Sequence, residues 1–560
     1  MEYLRKLTKN IYFWLFLILV FSSFLRIYQL GDVPSGFTAD EAAFGYNAFS
    51  ILETGKDEYG KAFPIVLKSF GDFKPALYSY LDIPFVYLFD LNTFSTRLPS
   101  AIFGIATVIL IYFFSFKLFK DRKIALISSL LLAISPWHLI LSRVVSEVVA
   151  SLFFILLMSY GLLSLNEKYN KRWIFISLIS GIFAVLSYTA SRFFIVLIAG
   201  LFFIHSLKKI KKKISFSKST IFVILFFMII GIGYSFIGSI DRFNQVSIFS
   251  SPETKLIMEE QIREDQFTPV LITRAFHNKI ASYSRTLIDN YAKYLTLDFL
   301  VLKGGFPLRV SVYQAGLFYI WQLPFLLMGV YFLIRKKNLT SLLILGWWFL
   351  LLIPAAITYD EIPNLYRSLV ILPAIIIIIS LGIYEFFNYK QIGGKMAKIL
   401  ILILVLVGVY ELAYFQHQYY VHQEKHQPWH REYAYKELVK ELNMYYPKYE
   451  KIVISKSVGS PYIHILFNNK YDPLKYQALG SPRDLDYSGF DKYYFVPMDC
   501  ALNGIKNYDP TKMLFIDSGN CKTPTKASLE LKEIKWKDGT TAFRIMEYYA
   551  TVSAKINSDE

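Results

Sequence analysis

Long apolar runs separated by short polar breaks dominate the first three quarters of the chain. The first run, residues 11–30, is about 20 residues, enough to cross a bilayer as a helix rising about 1.5 Å per residue. Further runs begin near Leu98, Ile124, Val144, Trp173, Phe193, Thr220, Gly316, Leu339, Leu369 and Ile399, which with the first predict about eleven spans. The run 124–136 is only about 13 residues, so it predicts a half-length span or a turn nearer Arg143. Residues 76–89 are apolar and aromatic but short and broken by Pro84, which predicts a helix lying at the membrane interface. After about Tyr414 the pattern changes. A helical stretch at 432–445 is followed by short β-like runs at 451–455, 492–497, 513–516 and 542–546, which predict a small α/β domain.

Composition agrees with a membrane chain. Of 560 residues 54% are hydrophobic, 18% aromatic and only 18% charged, and mean hydropathy is +0.38. A soluble domain carries more charge and fewer long apolar runs. The net charge of +17 would suit nucleic acid, but the charges sit elsewhere. Basic clusters (Arg5/Lys6/Lys9, Lys117/Lys120/Arg122/Lys123, Lys168/Lys171/Arg172, Lys208 to Lys213, Arg335/Lys336/Lys337 and Lys390/Lys395/Lys398) fall in short loops after every second span. Positive residues mark the cytoplasmic side, so the N-terminus is expected inside. The connections 31–96, 138–143, 189–192, 240–315 and 358–366 are expected outside, together with the tail. The N-terminus resembles a signal peptide, but its apolar run is too long and no small-x-small site follows, so an uncleaved first span is expected. The domains expected are 1–415, holding the spans with a first outer loop 31–96 and a large outer loop 240–315, and 416–560, an extracytoplasmic α/β domain. Cys500 and Cys521, the two cysteines, share that oxidising side and are expected to form a disulfide.

Candidate chemistry gathers on the expected outer face. Asp40 and Glu41 follow the first span just after the helix breakers Gly31, Pro34 and Gly36. Lys74 stands before Pro75. Trp137, His138, Arg143 and Glu147 lie at the third outer turn, Tyr188 and Arg192 bracket the next, and Arg367 precedes the tenth span. Each has a plainer reading: Arg143 and Glu147 as an i,i+4 ion pair, His138 as an interfacial anchor, Arg192 and Arg367 as snorkelling cations. Glu147 lies inside an apolar run, where an ionisable group is costly and functional by default. Carboxylates can serve as base or cation ligand, and Arg and Lys match a phosphate.

These residues resemble those of a polytopic GT-C glycosyltransferase of the protein O-mannosyltransferase and aminoarabinose (lipid A) transferase-like group. The matching pieces are Asp40-Glu41, Lys74-Pro75 with Leu77-Tyr78, Arg97-Leu98-Pro99-Ser100, Ser135-Pro136-Trp137-His138 with Ser142-Arg143 and Glu147, Tyr188 with Arg192, and Arg367 with Pro373. They cover about residues 11–415. Trp347-Trp348-Phe349 is not the WWDYG motif of the oligosaccharyltransferase branch. The resemblance implies a polyprenyl-phosphate sugar donor, an acceptor hydroxyl on a protein, glycolipid or cell-envelope glycan, and inverting transfer outside the cell membrane. It implies Asp40 as base, with Glu41 and Glu147 as the other catalytic carboxylates. Lys74, Arg192 and Arg367 would hold the donor phosphate; Arg143, His138 and Tyr188 would orient substrate. It admits a divalent metal, at Asp40 and Glu147, without demanding one. A flippase of lipid-linked sugars and a non-catalytic membrane receptor are the alternatives, and nucleic acid is no expected partner.

Overall fold

The structure, a computed structural model, describes residues 11–165, 170–211, 218–235, 245–388, 394–479, 487–505, 512–522 and 528–548. Arg5, Lys6, Lys9, Lys168, Lys212, Lys213 and Lys390 of the orienting clusters lie outside them. In chain order the longer helices are α1 (Ile11–Ile27), α2 (Ala39–Thr54), α3 (Leu77–Phe89), α4 (Thr93–Phe119), α5 (Arg122–Ile134), α6 (Pro136–Ser142), α7 (Glu147–Leu165), α8 (Lys171–Ser187), α9 (Ser191–Lys211) and α10 (Lys218–Ser235). There follow α11 (Pro252–Glu264), α12 (Val270–Phe276), α13 (Lys279–Lys293), α14 (Leu323–Lys336), α15 (Leu339–Leu351), α16 (Leu372–Phe387) and α17 (Gly394–His417), then α18 (Ala434–Tyr445), α19 (Pro461–Asn468) and α20 (Pro473–Ala478).

The chain divides into two units. One holds residues 1–28 and 100–418, the other residues 29–99 and 419–560. The second unit's later part begins close to where the sequence pattern changes, and the unit also takes in residues 29–99.

The first unit is helical. Among the described residues five helices are long and apolar enough to cross a membrane: Thr93–Phe119, Glu147–Leu165, Leu339–Ala356, Leu365–Phe387 and Lys395–His422. A sixth arises if α5 and α6, bent by 56° at their break, count as one. The eleven apolar runs therefore do not all become full-length helices. Both α1 and α8 have 17 residues and so rise about 25 Å, less than the roughly 30 Å hydrocarbon layer. The run 124–136 both stops short and turns: α5 ends at Ile134, the Ser135 hydroxyl accepts from the His138 N–H, and Pro136 opens α6, where its missing N–H costs nothing.

The second unit is built on one apolar core. Ala42, Ala43, Tyr46 and Ala48 of α2 pack with Tyr435, Leu438 and Leu442 of α18 and with Ile463, Leu466 and Phe467 of α19. A Cβ on Gly45 would come within 2.7 Å of the Phe467 ring, so glycine there is what lets α2 and α19 approach. In the loop, β1 (Val66–Ser69) and β2 (Asp72–Pro75) form an antiparallel hairpin with Leu67 opposite Lys74. α3 gives the short helix expected at 76–89; it buries Tyr78, Ser79, Asp82 and Val86 and exposes Tyr87, Leu88 and Phe89. In the tail, β3 (Lys451–Ser455), β4 (Gly489–Phe490), β5 (Tyr493–Val496), β6 (Met513–Ser518), β7 (Ser528–Lys535) and β8 (Thr541–Tyr548) form one mixed sheet, order β4-β5-β3-β6-β8-β7. The strand period of two sends Ile452, Leu514 and Ile545 to the helix-covered core, and Val453, Phe515 and Met546 to a second cluster on the other face. Cys500 and Cys521 are bridged, as expected.

Candidate active site

The Asp40 region is fixed by its neighbours in sequence. Thr38 and Glu41 form a capping box: the Thr38 hydroxyl accepts the Glu41 N–H at 3.3 Å, and the Glu41 carboxylate accepts the Thr38 N–H at 3.1 Å. Arg97 then grips Glu41 with two bonds, 2.9 Å from Nε and 3.3 Å from a terminal nitrogen. Its remaining donors reach the carbonyls of Leu30, Pro34 and Gly36 at 3.3, 3.0 and 2.6 Å. A single buried guanidinium thus ties the whole turn between the first span and α2. Gly36 is needed twice over: its φ is +89°, and a Cβ there would meet the Arg431 carbonyl at 2.3 Å. Glu41 is only 5% exposed and spends its oxygens on Thr38 and Arg97. These contacts make it an anchor of the turn.

Asp40 differs. It stands in the first turn of α2, where the helix dipole favours an anion, and its side chain remains 39% exposed. Lys74, on β2, reaches its carboxylate and lies over the rings of Phe44 and Phe70 at 5.8 and 5.5 Å. Lys74 is therefore the partner of the candidate base, in the unit that does not contain Arg192 and Arg367. From the tail, Glu432 accepts the N–H of Ala39, the residue before Asp40. His464 Nε2 lies 3.2 Å from the same Glu432 oxygen, and the Tyr435 ring stacks on His464 at 4.2 Å. A Cβ on Gly459 would come within 2.5 Å of the other Glu432 oxygen. Sequence reasoning missed Glu432 and His464, because nothing local links them to a residue almost four hundred positions earlier.

The other unit holds the remaining candidates, in two groups. The first is structural. Arg143 donates to the carbonyls of Leu25 and Tyr28 at 2.8 and 2.7 Å, closing the C-terminal end of α1. Arg26, inside α1, donates to the carbonyls of Leu132 and Ala133 at 3.2 and 3.0 Å and to His138 Nδ1 at 2.8 Å. A guanidinium can only donate, so Nδ1 accepts and the ring proton sits on Nε2. Arg143 and His138, expected to orient substrate, are 1% and 0% exposed and hold the break between α5 and α6 against α1. Arg26 was legible as a charge inside an apolar run, the signal used for Glu147.

The second group surrounds Arg367. Asn364 caps the short helix Leu365–Ser368 by accepting from the N–H groups of Tyr366 and Arg367. Trp137 Nε1 donates to the Leu365 carbonyl at 3.1 Å and Trp347 Nε1 to that of Val370 at 2.8 Å, so two buried indoles hold the segment. Arg367 donates to Thr358 Oγ1 at 3.0 Å and to the Asp360 carbonyl at 2.6 Å, with the Asp360 carboxylate at 3.5 Å. Tyr188 and Tyr294 lie within electrostatic reach of Arg367, and Tyr188 also of Glu147. Burial pushes the Tyr294 phenol up to about 12, so it remains a neutral hydroxyl, accepting the Asn364 N–H at 3.0 Å. Glu147 opens α7 half-buried, and Arg192 is buried in the first turn of α9. Among the described residues no three His, Cys, Asp or Glu side chains gather as a metal cage, and the candidate metal pair Asp40 and Glu147 is split between the units.

Comparison with known proteins bears on this arrangement. Residues 15–240 match the model of the dolichyl-phosphate-mannose-protein mannosyltransferase family. No curated protein sequence matches the chain. Among solved structures, ArnT from Cupriavidus metallidurans, seen in the apo state and bound to undecaprenyl phosphate, shares the fold at a TM-score of 0.50 and 10% identity. That likeness covers 95% of this chain and 97% or 98% of ArnT in the two states. The archaeal oligosaccharyltransferase AglB from Archaeoglobus fulgidus, in complex with an inhibitory peptide and a dolichol-phosphate, is similar at a TM-score of 0.47 and 13% identity over 81% of this chain; the chain spans 63% of AglB. The resemblance drawn from the residues is thus the one the comparisons find, a GT-C type of fold whose N-terminal part carries a mannosyltransferase family's pattern, and the enzyme class it names is glycosyltransferase.

Proposed function

We propose that this glycosyltransferase draws its sugar from a polyprenyl-phosphate donor and passes it to an acceptor hydroxyl outside the cell membrane, with Asp40 as base. The observation that carries the reading is Asp40 itself. It is a partly exposed carboxylate, paired with Lys74, on a pinned helix inside the stretch that matches the mannosyltransferase family. In this scheme Asp40 takes the proton of the acceptor hydroxyl, whose oxygen bonds to the anomeric carbon from the face opposite the phosphate. The bond between that carbon and the phosphate oxygen breaks, and its electron pair leaves on the lipid phosphate. A single displacement inverts the anomeric centre. Arg367 and Arg192 supply the charge that receives the phosphate. Lys74 holds the Asp40 carboxylate in place, and Tyr188 lies between the influence of Arg367 and Glu147 as a neutral hydroxyl donor. The test is to supply the purified protein, in native lipids, with labelled polyprenyl-phosphate sugars. The mass of the product names donor and acceptor class together, and absence of transfer from every lipid-linked sugar would sink the reading.

The alternation of basic clusters supports counting the shorter apolar helices as spans too, about eleven in all, with the N-terminus inside. Reporter tags after Lys336 are then expected in the cytoplasm, and tags after Glu264 and at Glu560 outside. A cytoplasmic report from Glu560 would reverse the proposed side of the reaction.

Glu432 gives a second, smaller test. Glu432→Ala removes an acceptor from the start of α2 and is expected to lower kcat about fivefold, the equivalent of roughly 1 kcal/mol for a lost cap, with KM little changed. Glu432→Gln keeps an oxygen for the Ala39 N–H and is expected to retain most of the rate. Equal losses in both variants, tracked by transfer kinetics, would mean that the tail merely stabilises the unit.

A further inference from the structure

A cleft of about 710 Å³ opens on the tail between the end of α18, the segment around α20 and the turn joining β4 to β5. Its size lies within the roughly 300–1,000 Å³ of small-molecule sites. Its lining is aromatic and planar-polar. The Tyr446 and Tyr493 rings stand 5.7 Å apart, and Tyr471 rests edge-on against Phe490 at 5.2 Å. The Asp491 carboxylate takes the Tyr446 hydroxyl at 2.5 Å and the Tyr471 hydroxyl at 3.5 Å through one oxygen. Asn443 donates to Asn469 at 2.8 Å, which leaves the Asn443 carbonyl oxygen for a ligand. Asp491 is also a non-glycine residue at φ +53°, a conformation that persists where the surroundings over-determine it and that clusters at binding sites.

The charges decide what such a cleft can take. Lys470 and Lys475 are balanced by Asp472 and Asp491, and Lys470 is already engaged by Asp90. A phosphate needs an excess of cation, preferably a guanidinium fork, and among the described residues the lining contains no arginine. An extended peptide would need a sheet edge to pair with or apolar pockets for its side chains, and the edge strand β4 offers only Gly489 and Phe490, neither of which lines the cleft. What remains is a ligand with an apolar face for tyrosine rings and adjacent hydroxyls for amide and carboxylate oxygens, and that is the chemistry of a sugar.

We propose that this cleft binds a neutral saccharide, as a site separate from the transfer chemistry, and that in function it holds the glycan part of an acceptor. Only the second half rests on the function proposed above. The experiment uses the full chain in lipid nanodiscs prepared without glycosidic detergent, with mannotriose, maltotriose and chitotriose as probes and saturation-transfer NMR titration as the readout. At least one probe is expected to bind. Asn443→Ala and Asp491→Ala are expected to weaken it tenfold or more, while Lys440→Ala and Asp40→Asn leave it unchanged. Absence of binding by all three probes, equal binding in the cleft variants, or displacement by inorganic phosphate at equal concentration would overturn the proposal. Saccharide binding that survives in a protein unable to use any lipid-linked sugar would leave the cleft standing and remove the transfer reaction.

Discussion

Asp40→Asn is expected to abolish sugar transfer while the protein still inserts and binds its donor. Asparagine keeps the shape of the side chain and removes the base; general base catalysis contributes on the order of 10² to 10⁴ in rate. The capping box, the Arg97 pair and the Glu432 contact involve the neighbours of Asp40 and not its carboxylate, so the start of α2 survives the change. What is lost besides the base is the ion pair with Lys74. Lys74→Met separates the two effects: it breaks the same pair and leaves the carboxylate, and is expected to keep a measurable share of the turnover. Glu264→Gln, at the exposed end of α11, serves as the control. Turnover above about a tenth of wild type in the Asp40 variant would remove it from the mechanism and leave Glu147 as the carboxylate to examine.

Arg367→Ala is expected to lose roughly 2–4 kcal/mol of transition-state stabilisation, about 30- to 1,000-fold in kcat/KM, as other removed anion donors do. Its guanidinium already clamps residues 358–360, so a loss in rate has two explanations, a missing phosphate partner and a loosened loop. Thr358→Val distinguishes them. It removes the 3.0 Å bond to Arg367 and leaves the charge in place. Little loss in the Thr358 variant beside a large loss in Arg367→Ala points to the phosphate; equal losses assign Arg367 to the loop alone. Arg367→Lys is expected to fall between the two, because an ammonium keeps the charge but cannot bridge two acceptors as a planar fork does.

What the sequence made legible follows the range of the forces involved. Apolar runs and basic loops are local signals, and they located the helices, the α/β tail and the stretch carrying Asp40. The strand Ser528–Lys535 escaped because its residues alternate with charge, as suits the edge of a sheet, where one side faces water. The site was legible in its residue types and not in its pairings. Arg143 and His138 looked like substrate contacts because a polar group beside a span is costly. Part of the cost is met within the protein, by the carbonyls at the end of α1 and by Arg26, while His138 Nε2 is buried with no partner among the described residues. Glu41 and Asp40 are adjacent and chemically alike, yet a capping box and a buried arginine make one an anchor, while the other faces solvent. No pattern of types distinguishes them; only their partners do.

The core shared by the first loop and the tail has a consequence for how the protein is made. The loop leaves the ribosome early and brings α3, which covers part of α2, but the rest of the core around Ala42, Ala43 and Tyr46 comes from residues after Tyr419. Between the two parts lie roughly 320 residues, which at about 5–20 residues per second take about 15–65 s to synthesise. For that interval the helix bearing Asp40 lacks the tail's share of its apolar cover and the Glu432 contact. A nascent chain that has already inserted its spans therefore still lacks the contacts that pin the start of α2 until its last quarter has been made.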